Sequence, residues 1–176
     1  MRKTLVIIDM QTKFPSAYSP RVASSCTREV RKFVHNKDAI ILLQYRGFGN
    51  TLKEVSSLAR PYANTRVTFK EADNGSAEVY SAIRRHKFPQ EHLTFCGVNS
   101  GHCVSETIVG LRKLLPFSLF VVIADAVGRF PPNEVDDHNN RLEVLRDLNT
   151  LPARVDRVKY LAPELFNRVR TKRKKT

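Results

Sequence analysis

The sequence predicts an α/β protein of three layers, in which about six parallel strands form a sheet with helices on both faces. Short apolar runs rich in β-branched residues recur along the chain, the pattern of strands buried on both faces. Segments with apolar residues every three or four positions lie between them and indicate helices. Strands that alternate with helices are joined by right-handed crossovers, so they run parallel.

The predicted strands are apolar runs of four to nine residues. They are TLVII (4–8), AIILLQY (39–45), RVTF (66–69), HLTFCGV (92–98), FSLFVVIAD (117–125) and RVDRVKY (154–160).

The first predicted helix follows Ser19, a plausible N-cap, and has Pro20 at its first position, where proline is favoured. A shorter helix is predicted in NTLKEVSSLAR (50–60). The remaining helical patterns are NGSAEVYSAIRRH (74–86), HCVSETIVGLRKLL (102–115) and NEVDDHNNRLEVLRDL (133–148).

The chain of 176 residues has the length of one domain. We assign residues 1–167 to it and residues 168–176 to a basic tail. The three cysteines suggest neither a disulfide framework nor a structural zinc site, which favours a reducing compartment. With no signal-peptide pattern and no apolar run of about 20 residues, we expect a cytoplasmic protein that does not enter the membrane.

The chain is strongly basic, with a formal net charge of +13, and six positive charges fall in the last nine residues. Such charge attracts anionic partners, including nucleic acid. A solvated, frayed end is the simpler interpretation of the tail, because no aromatic residue for base stacking lies within it.

Three reactive side chains follow predicted strands, where ligands of parallel sheets bind. Asp9 ends the first strand, Lys70 ends the third, and Cys103 begins the helix after the fourth. A helix N-terminus and a nearby lysine both favour a thiolate, so the pattern predicts a nucleophilic Cys103 with a lowered pKa. Taken singly, Asp9 could be a turn residue and Lys70 a solvated one. Cys96, inside an apolar strand, is expected to be structural.

Four segments together carry a family resemblance. LVIIDMQTKF, TFKEADNGSAEV, FCGVNSGHCVSETI and VVIADAVGRFPP resemble, in order and spacing, segments of the isochorismatase-like cysteine hydrolases. This superfamily includes nicotinamidases, carbamoylsarcosine amidohydrolases and ureidoacrylate amidohydrolases. The resemblance covers nearly the whole sequence and stops before the tail.

The resemblance implies a catalytic triad of Asp9, Lys70 and Cys103. It also implies a cis peptide between Val98 and Asn99, and an oxyanion hole made by the main-chain N–H groups of Asn99 and Cys103. The expected reaction is hydrolysis of a C–N bond in a small carboxamide, carbamoyl or ureido substrate through a thioester. Assembly into a homodimer or tetramer is also expected.

The sequence departs from the family at the metal site of nicotinamidases. The positions that match its two ligands are Gly47 and Gly49, on either side of Phe48, so we expect no metal and no other cofactor.

The expected substrate pocket is small and flat, with Phe14 and Phe48 as apolar walls, although core packing explains them equally well. Gln11 and Asn99 are candidate hydrogen-bond donors to the substrate. His102 either lines the pocket or is an exposed turn residue. Arg46 would suit a substrate that carries a carboxylate.

Two alternative functions make different demands on the sequence. A catalytically silent protein of this fold could bind nucleic acid or an acidic partner through its basic surface. A dinucleotide-binding enzyme is excluded, because the turn after the first strand contains no glycine.

Overall fold

The computed structural model describes residues 2–129 and 137–156. The strands are β1 (Thr4–Ile8), β2 (Ala39–Tyr45), β3 (Thr65–Lys70), β4 (His92–Val98), β5 (Leu119–Gly128) and β6 (Arg154–Asp156). The α-helices are α1 (Pro20–His35), α2 (Lys53–Ala59), α3 (Ser76–His86), α4 (Ser105–Leu114) and α5 (Asp137–Asn149). A short 3₁₀ helix covers Pro15–Tyr18, and a π-helical turn covers Ser100–Val104.

The six strands form one parallel sheet in the order β3-β2-β1-β4-β5-β6. From β1 the polypeptide builds the sheet in one direction through β2 and β3, and then in the other through β4, β5 and β6. The strand order therefore reverses between β1 and β4, and ligands of such sheets bind at the carboxyl ends of these strands.

Two hydrophobic clusters, one on each face of the sheet, confirm the predicted three layers. In β1, Val6 and Ile8 pack on the side of α3, α4 and α5, whereas Leu5 and Ile7 pack on the side of α1 and α2. Successive side chains of a strand point to opposite faces, which explains why β1 is apolar at every position after Thr4.

The predicted elements match the observed ones with shifts at their ends. Helix α1 begins at Pro20 as predicted, although the Ser19 side chain makes no capping hydrogen bond. Strand β5 begins at Leu119, after a turn in which Phe117 is fully exposed, and runs past the predicted end at Asp125 to Gly128. There it pairs again with β4 after a register shift near Gly97.

Residues 157–160 of the last predicted strand, residues 133–136 of the last predicted helix and the basic tail lie outside the described residues. Within the described ranges, every helix is too short or too polar to cross a membrane.

Candidate active site

The three predicted catalytic side chains lie together at the point where the strand order reverses. Asp9 directly follows β1 and has a φ of +52°, a left-handed conformation that aspartate tolerates better than most residues. Lys70 is the last residue of β3, and its Nζ lies 2.9 Å from Oδ2 of Asp9. Both side chains are completely buried, so their charges compensate each other away from water.

Two further contacts fix the Lys70 ammonium group. Its Nζ donates a hydrogen bond to the main-chain oxygen of Asp73 at 2.9 Å. It also lies 4.7 Å from the centre of the Tyr45 ring, at a distance typical of a cation–π contact. The ammonium group is thereby directed toward Asp9.

Cys103 lies in the π-helical turn that connects β4 to α4. The turn is closed by a hydrogen bond from the main-chain N–H of Val104 to the carbonyl of Asn99, and the peptide between Val98 and Asn99 is cis, as the resemblance implies. The Cys103 side chain is buried and interacts with the Asp9 carboxylate. Its thiol also donates to Oδ1 of Asp73 at 3.5 Å.

The prediction that the surroundings of Cys103 lower its pKa is wrong. Burial, and then the charge of the nearby Asp9 carboxylate, raise the pKa of the thiol to about 12, although Lys70 acts in the opposite direction. Burial also raises the pKa of Asp9, with Lys70 opposing the shift. Cys103 is therefore protonated at neutral pH beside a carboxylate that is more basic than usual.

Three aromatic rings form one side of the site. Phe14 and Phe48 are stacked with their centroids 4.8 Å apart, and Tyr45 lies 4.8 Å from Phe48. Phe48 is 38% exposed, so the cluster presents apolar surface to solvent beside Lys70. The stacking places Phe14 and Phe48 side by side, and their role as walls of a substrate pocket stays a prediction.

The Gln11 side chain is occupied by hydrogen bonds within the protein. Its amide nitrogen donates to the carbonyls of Tyr45 and Gly49, and its oxygen accepts from the main-chain N–H of Tyr45 at 2.7 Å. Both amide hydrogens are used, so we replace the predicted contact with substrate by a positioning role for the loop after β2.

The remaining predicted side chains lie around the site. The Asn99 side chain accepts a hydrogen bond from Ser16 at 2.5 Å. His102 is exposed, with its Nδ1 3.8 Å from Oδ2 of Asp73. Arg46 pairs with Glu71 at 2.9 Å and lies over an exposed phenylalanine ring, so its charge is already partnered.

The positions that match the nicotinamidase metal ligands do not fit a metal. Gly47 and Gly49 have φ values of +81° and +83°, which favour glycine, and a Cβ at Gly49 would collide with the Thr12 hydroxyl. In the described part of the protein, no three histidine, cysteine, aspartate or glutamate side chains are grouped as a metal site.

Sequence reasoning missed Asp73 and Tyr45. Asp73 lies three residues after Lys70, at the spacing of one turn, and Tyr45 ends β2 at the same edge of the sheet as Asp9 and Lys70. Tyr45 is the last residue of its strand, and ligands of parallel sheets bind at the carboxyl ends of strands, so its position carried the signal.

The structure is similar to those of three solved proteins. Nicotinamidase PncA from Bacillus subtilis has a TM-score of 0.71 at 16% identity, covering 89% of this chain and 100% of the other. N-carbamoylsarcosine amidase from Thermoplasma acidophilum has a TM-score of 0.65 at 18% identity, with coverages of 92% and 99%. The MAR1 ribonuclease from Caenorhabditis elegans has a TM-score of 0.69 at 18% identity, with coverages of 87% and 75%.

Further structural matches include an isochorismatase-like hydrolase and an isochorismatase family protein. The protein therefore has the fold of the isochorismatase-like superfamily, as the resemblance implies. No family model matches the sequence, and no curated protein matches it significantly. At these identities the likeness establishes the fold, and the activity has to be argued from the residues of this chain.

Proposed function

We propose that the protein is a cysteine hydrolase that cleaves a C–N bond in a small carboxamide, carbamoyl or ureido compound without a metal. The observation that carries this proposal is the convergence of Asp9, Lys70 and Cys103 at the carboxyl ends of the strands. A carboxylate and an ammonium group that are both buried, 2.9 Å apart beside a thiol, cost stability. Such costly arrangements of charged groups are typical of functional sites.

The perturbed pKa values suggest how the reaction begins. Since the thiol pKa is raised to about 12, Cys103 is a protonated thiol before the reaction. Its proton therefore has to leave as sulfur attacks the carbonyl carbon. Asp9 is the buried base that interacts with the thiol, and burial makes it a stronger one. Lys70 stabilises the charge of Asp9 before the transfer and that of sulfur after it.

The remaining steps use the same groups. The main-chain N–H groups of Asn99 and Cys103 stabilise the oxyanion of the tetrahedral intermediate. When the C–N bond breaks, Asp9 returns its proton to the departing amine, and the acyl group stays on Cys103 as a thioester. Asp9 then takes a proton from water as that water attacks the thioester carbonyl, and the C–S bond breaks. The departing Cys103 thiolate regains the proton from Asp9, and the carboxylic acid product leaves the free enzyme.

The aromatic cluster supports a small substrate. Phe14, Phe48 and Tyr45 would contact a flat or compact group beside the reacting carbonyl. Two of the structural neighbours, a nicotinamidase and an N-carbamoylsarcosine amidase, are named for amide substrates of this size.

The proposal is tested by measuring ammonia release from a panel of small carboxamides and ureido acids. We expect turnover that persists with chelator and disappears in Cys103→Ala. Cys96→Ala is the matched control, because it removes a thiol buried in β4 away from Asp9 and should keep turnover. Turnover that survives in Cys103→Ala, or that requires added metal, would contradict the mechanism.

A second candidate function is binding of nucleic acid. It is favoured by the net charge of +13, much of it in residues 168–176, and by the fold neighbour that is a ribonuclease. RNA affinity should fall steeply with salt, and deletion of residues 168–176 should remove most of it. Affinity that depends on neither salt nor the tail would argue against this function.

Self-association and location stay predictions. Sedimentation of the purified protein would report a dimer or tetramer, and imaging of a tagged protein would test the expected cytoplasmic location.

A further inference from the structure

A second carboxylate lies beside the nucleophile. Oδ1 of Asp73 is 3.5 Å from Sγ of Cys103, on a side chain that is 50% exposed, whereas Asp9 is completely buried. The main chain of Asp73 is anchored, because its oxygen accepts hydrogen bonds from Lys70 and Thr107. The half-exposed carboxylate therefore lies next to the buried thiol.

The charge of Asp73 is compensated only in part, by the Lys70 ammonium group that lies 2.9 Å from its main-chain oxygen and pairs with Asp9. Lys70 is committed to Asp9, and Arg46 is paired with Glu71. Lys13 donates to the carbonyl of Gly47. In the described part of the protein, no lysine or arginine lies within ion-pair distance of the Asp73 carboxylate, and Nδ1 of the exposed His102 lies 3.8 Å from it.

We propose that Asp73 determines substrate specificity by charge: it disfavours substrates that carry a carboxylate near the scissile amide and favours neutral or amine-bearing amides. This inference rests on the proposed cysteine hydrolase. A fixed charge 3.5 Å from the reacting sulfur acts at close range on a charge in the incoming molecule, and the exposed half of its side chain lets water screen part of that effect. Like charges at a binding site are a common means of rejecting a competing ligand.

Arg46 is not the charged group that faces the nucleophile. From the sequence, Arg46 favours an acidic substrate, but the structure uses its charge on Glu71. The side chain that touches the nucleophile is acidic instead. Within the panel of candidate substrates, simple carboxamides should therefore be hydrolysed faster than ureido acids.

A test that does not depend on turnover uses two small methanethiosulfonates of similar size, the cationic 2-aminoethyl and the anionic 2-sulfonatoethyl reagents. Each transfers its thioalkyl group to a thiolate and releases methanesulfinate. The rate of modification of Cys103 is followed by mass spectrometry of its peptide and divided by the rate for a free thiol. The ratio of the cationic to the anionic rate reports the charge at Cys103.

We expect wild type to favour the cationic reagent, and Asp73→Asn to lower the ratio by about tenfold. Asp73→Lys should reverse the preference. The matched control is Glu71→Gln, which removes an exposed carboxylate two residues away and should change the ratio less than about twofold. An unchanged ratio in both Asp73 variants would overturn the proposal.

Turnover separates this proposal from the one it rests on. If Asp73→Asn gains kcat/KM on ureido acids relative to carboxamides, both stand. If no amide is hydrolysed but the reagent ratio falls in Asp73→Asn, the charge effect stands and the hydrolase proposal fails. If amides are hydrolysed but the ratio and the preference for carboxamides are unchanged in Asp73→Asn, Asp73 has no role in specificity.

Discussion

Nζ of Lys70 lies 2.9 Å from Oδ2 of Asp9, and neither side chain is exposed to solvent. Removing two charges from water costs several kcal/mol per ion, which their attraction offsets only when both are present. The ion pair therefore contributes little to the free energy of unfolding, and removal of either residue leaves the other charge buried without a partner.

The first prediction concerns this dependence. Lys70→Met leaves Asp9 buried without its counter-charge and should lower the free energy of unfolding by about 3–5 kcal/mol. The double variant Asp9→Asn/Lys70→Met removes both charges and should recover to within about 1 kcal/mol of wild type or exceed it. Urea denaturation measures both, and neither variant should hydrolyse amides. Additive losses in the double variant would show that the two residues do not interact.

The second prediction follows from the raised thiol pKa. Alkylation of Cys103 by iodoacetamide should be slow at neutral pH and should rise about tenfold per pH unit toward the pKa of about 12. Asp9→Asn removes a carboxylate that raises this pKa, so it should speed alkylation at pH 8 by about tenfold while abolishing turnover. Peptide mass spectrometry after timed quenching gives the rates. Slower alkylation in Asp9→Asn would mean that the loss of Asp9 as the base for the thiol proton outweighs the loss of its effect on the thiol pKa.

The third prediction is the effect of the same pKa on stability. The thiol pKa is raised from 9.0 to about 12 on folding, so the folded protein binds more protons than the unfolded protein between these values. The contribution of Cys103 to stability is present below pH 9 and is lost as the pH rises through this window. Stability should therefore fall more between pH 8 and 10.5 in wild type than in Cys103→Ala, measured by urea denaturation. Parallel curves would argue for an unshifted thiol.

Much of the site follows from the sequence because parallel strands bring their carboxyl ends to one edge. Asp9, Lys70 and Cys103 each lie at or after a strand end, so the strand pattern predicts that they lie at one edge of the sheet, and the family resemblance implies that they form a triad. The sequence predicts a lowered pKa for Cys103, but burial and the nearby Asp9 raise that pKa by more than Lys70 lowers it. Neither burial nor the distance to Asp9 can be obtained from the sequence.

Loop geometry accounts for the other differences between sequence and structure. Asp73 reaches the thiol because the turn after β3 folds back onto Lys70, which its residue pattern does not reveal. Gln11 is polar at the pocket edge, as a ligand donor would be, yet its hydrogen bonds support the loop after β2. The sequence does not distinguish a polar side chain that binds substrate from one that supports a loop at the edge of the pocket.

The fourth prediction concerns Gly97, next to the cis peptide. Its φ is +123°, and a Cβ there would overlap the carbonyl oxygen of Ile8 and lie 2.7 Å from the backbone carbonyl carbon and nitrogen of that residue. Because backbone in the centre of the sheet cannot move aside, Gly97→Ala should lower the free energy of unfolding by about 3–5 kcal/mol.

The control is Gly47→Ala, where φ is +81° but the space is open, and the loss should be about 1 kcal/mol. Equal losses in the two variants would mean that φ, and not the clash, sets the cost.

The fifth prediction tests what holds the nucleophile turn in place. Ser100, at the start of the turn, donates to Oδ2 of Asp147 in α5 at 2.5 Å, and Nε of Arg129 lies 3.2 Å from the same oxygen. Asp147→Ala removes the acceptor from both groups and should lower the free energy of unfolding by about 1–3 kcal/mol. It should also lower kcat more than it raises KM, since the turn that carries Cys103 loses a support while the aromatic wall is untouched.

The control on the same helix is the exposed Arg146, whose replacement by alanine should change stability by less than about 0.5 kcal/mol. Urea denaturation and steady-state kinetics on the best amide measure both effects, and a stable Asp147→Ala variant with full kcat would show that α5 does not position the turn.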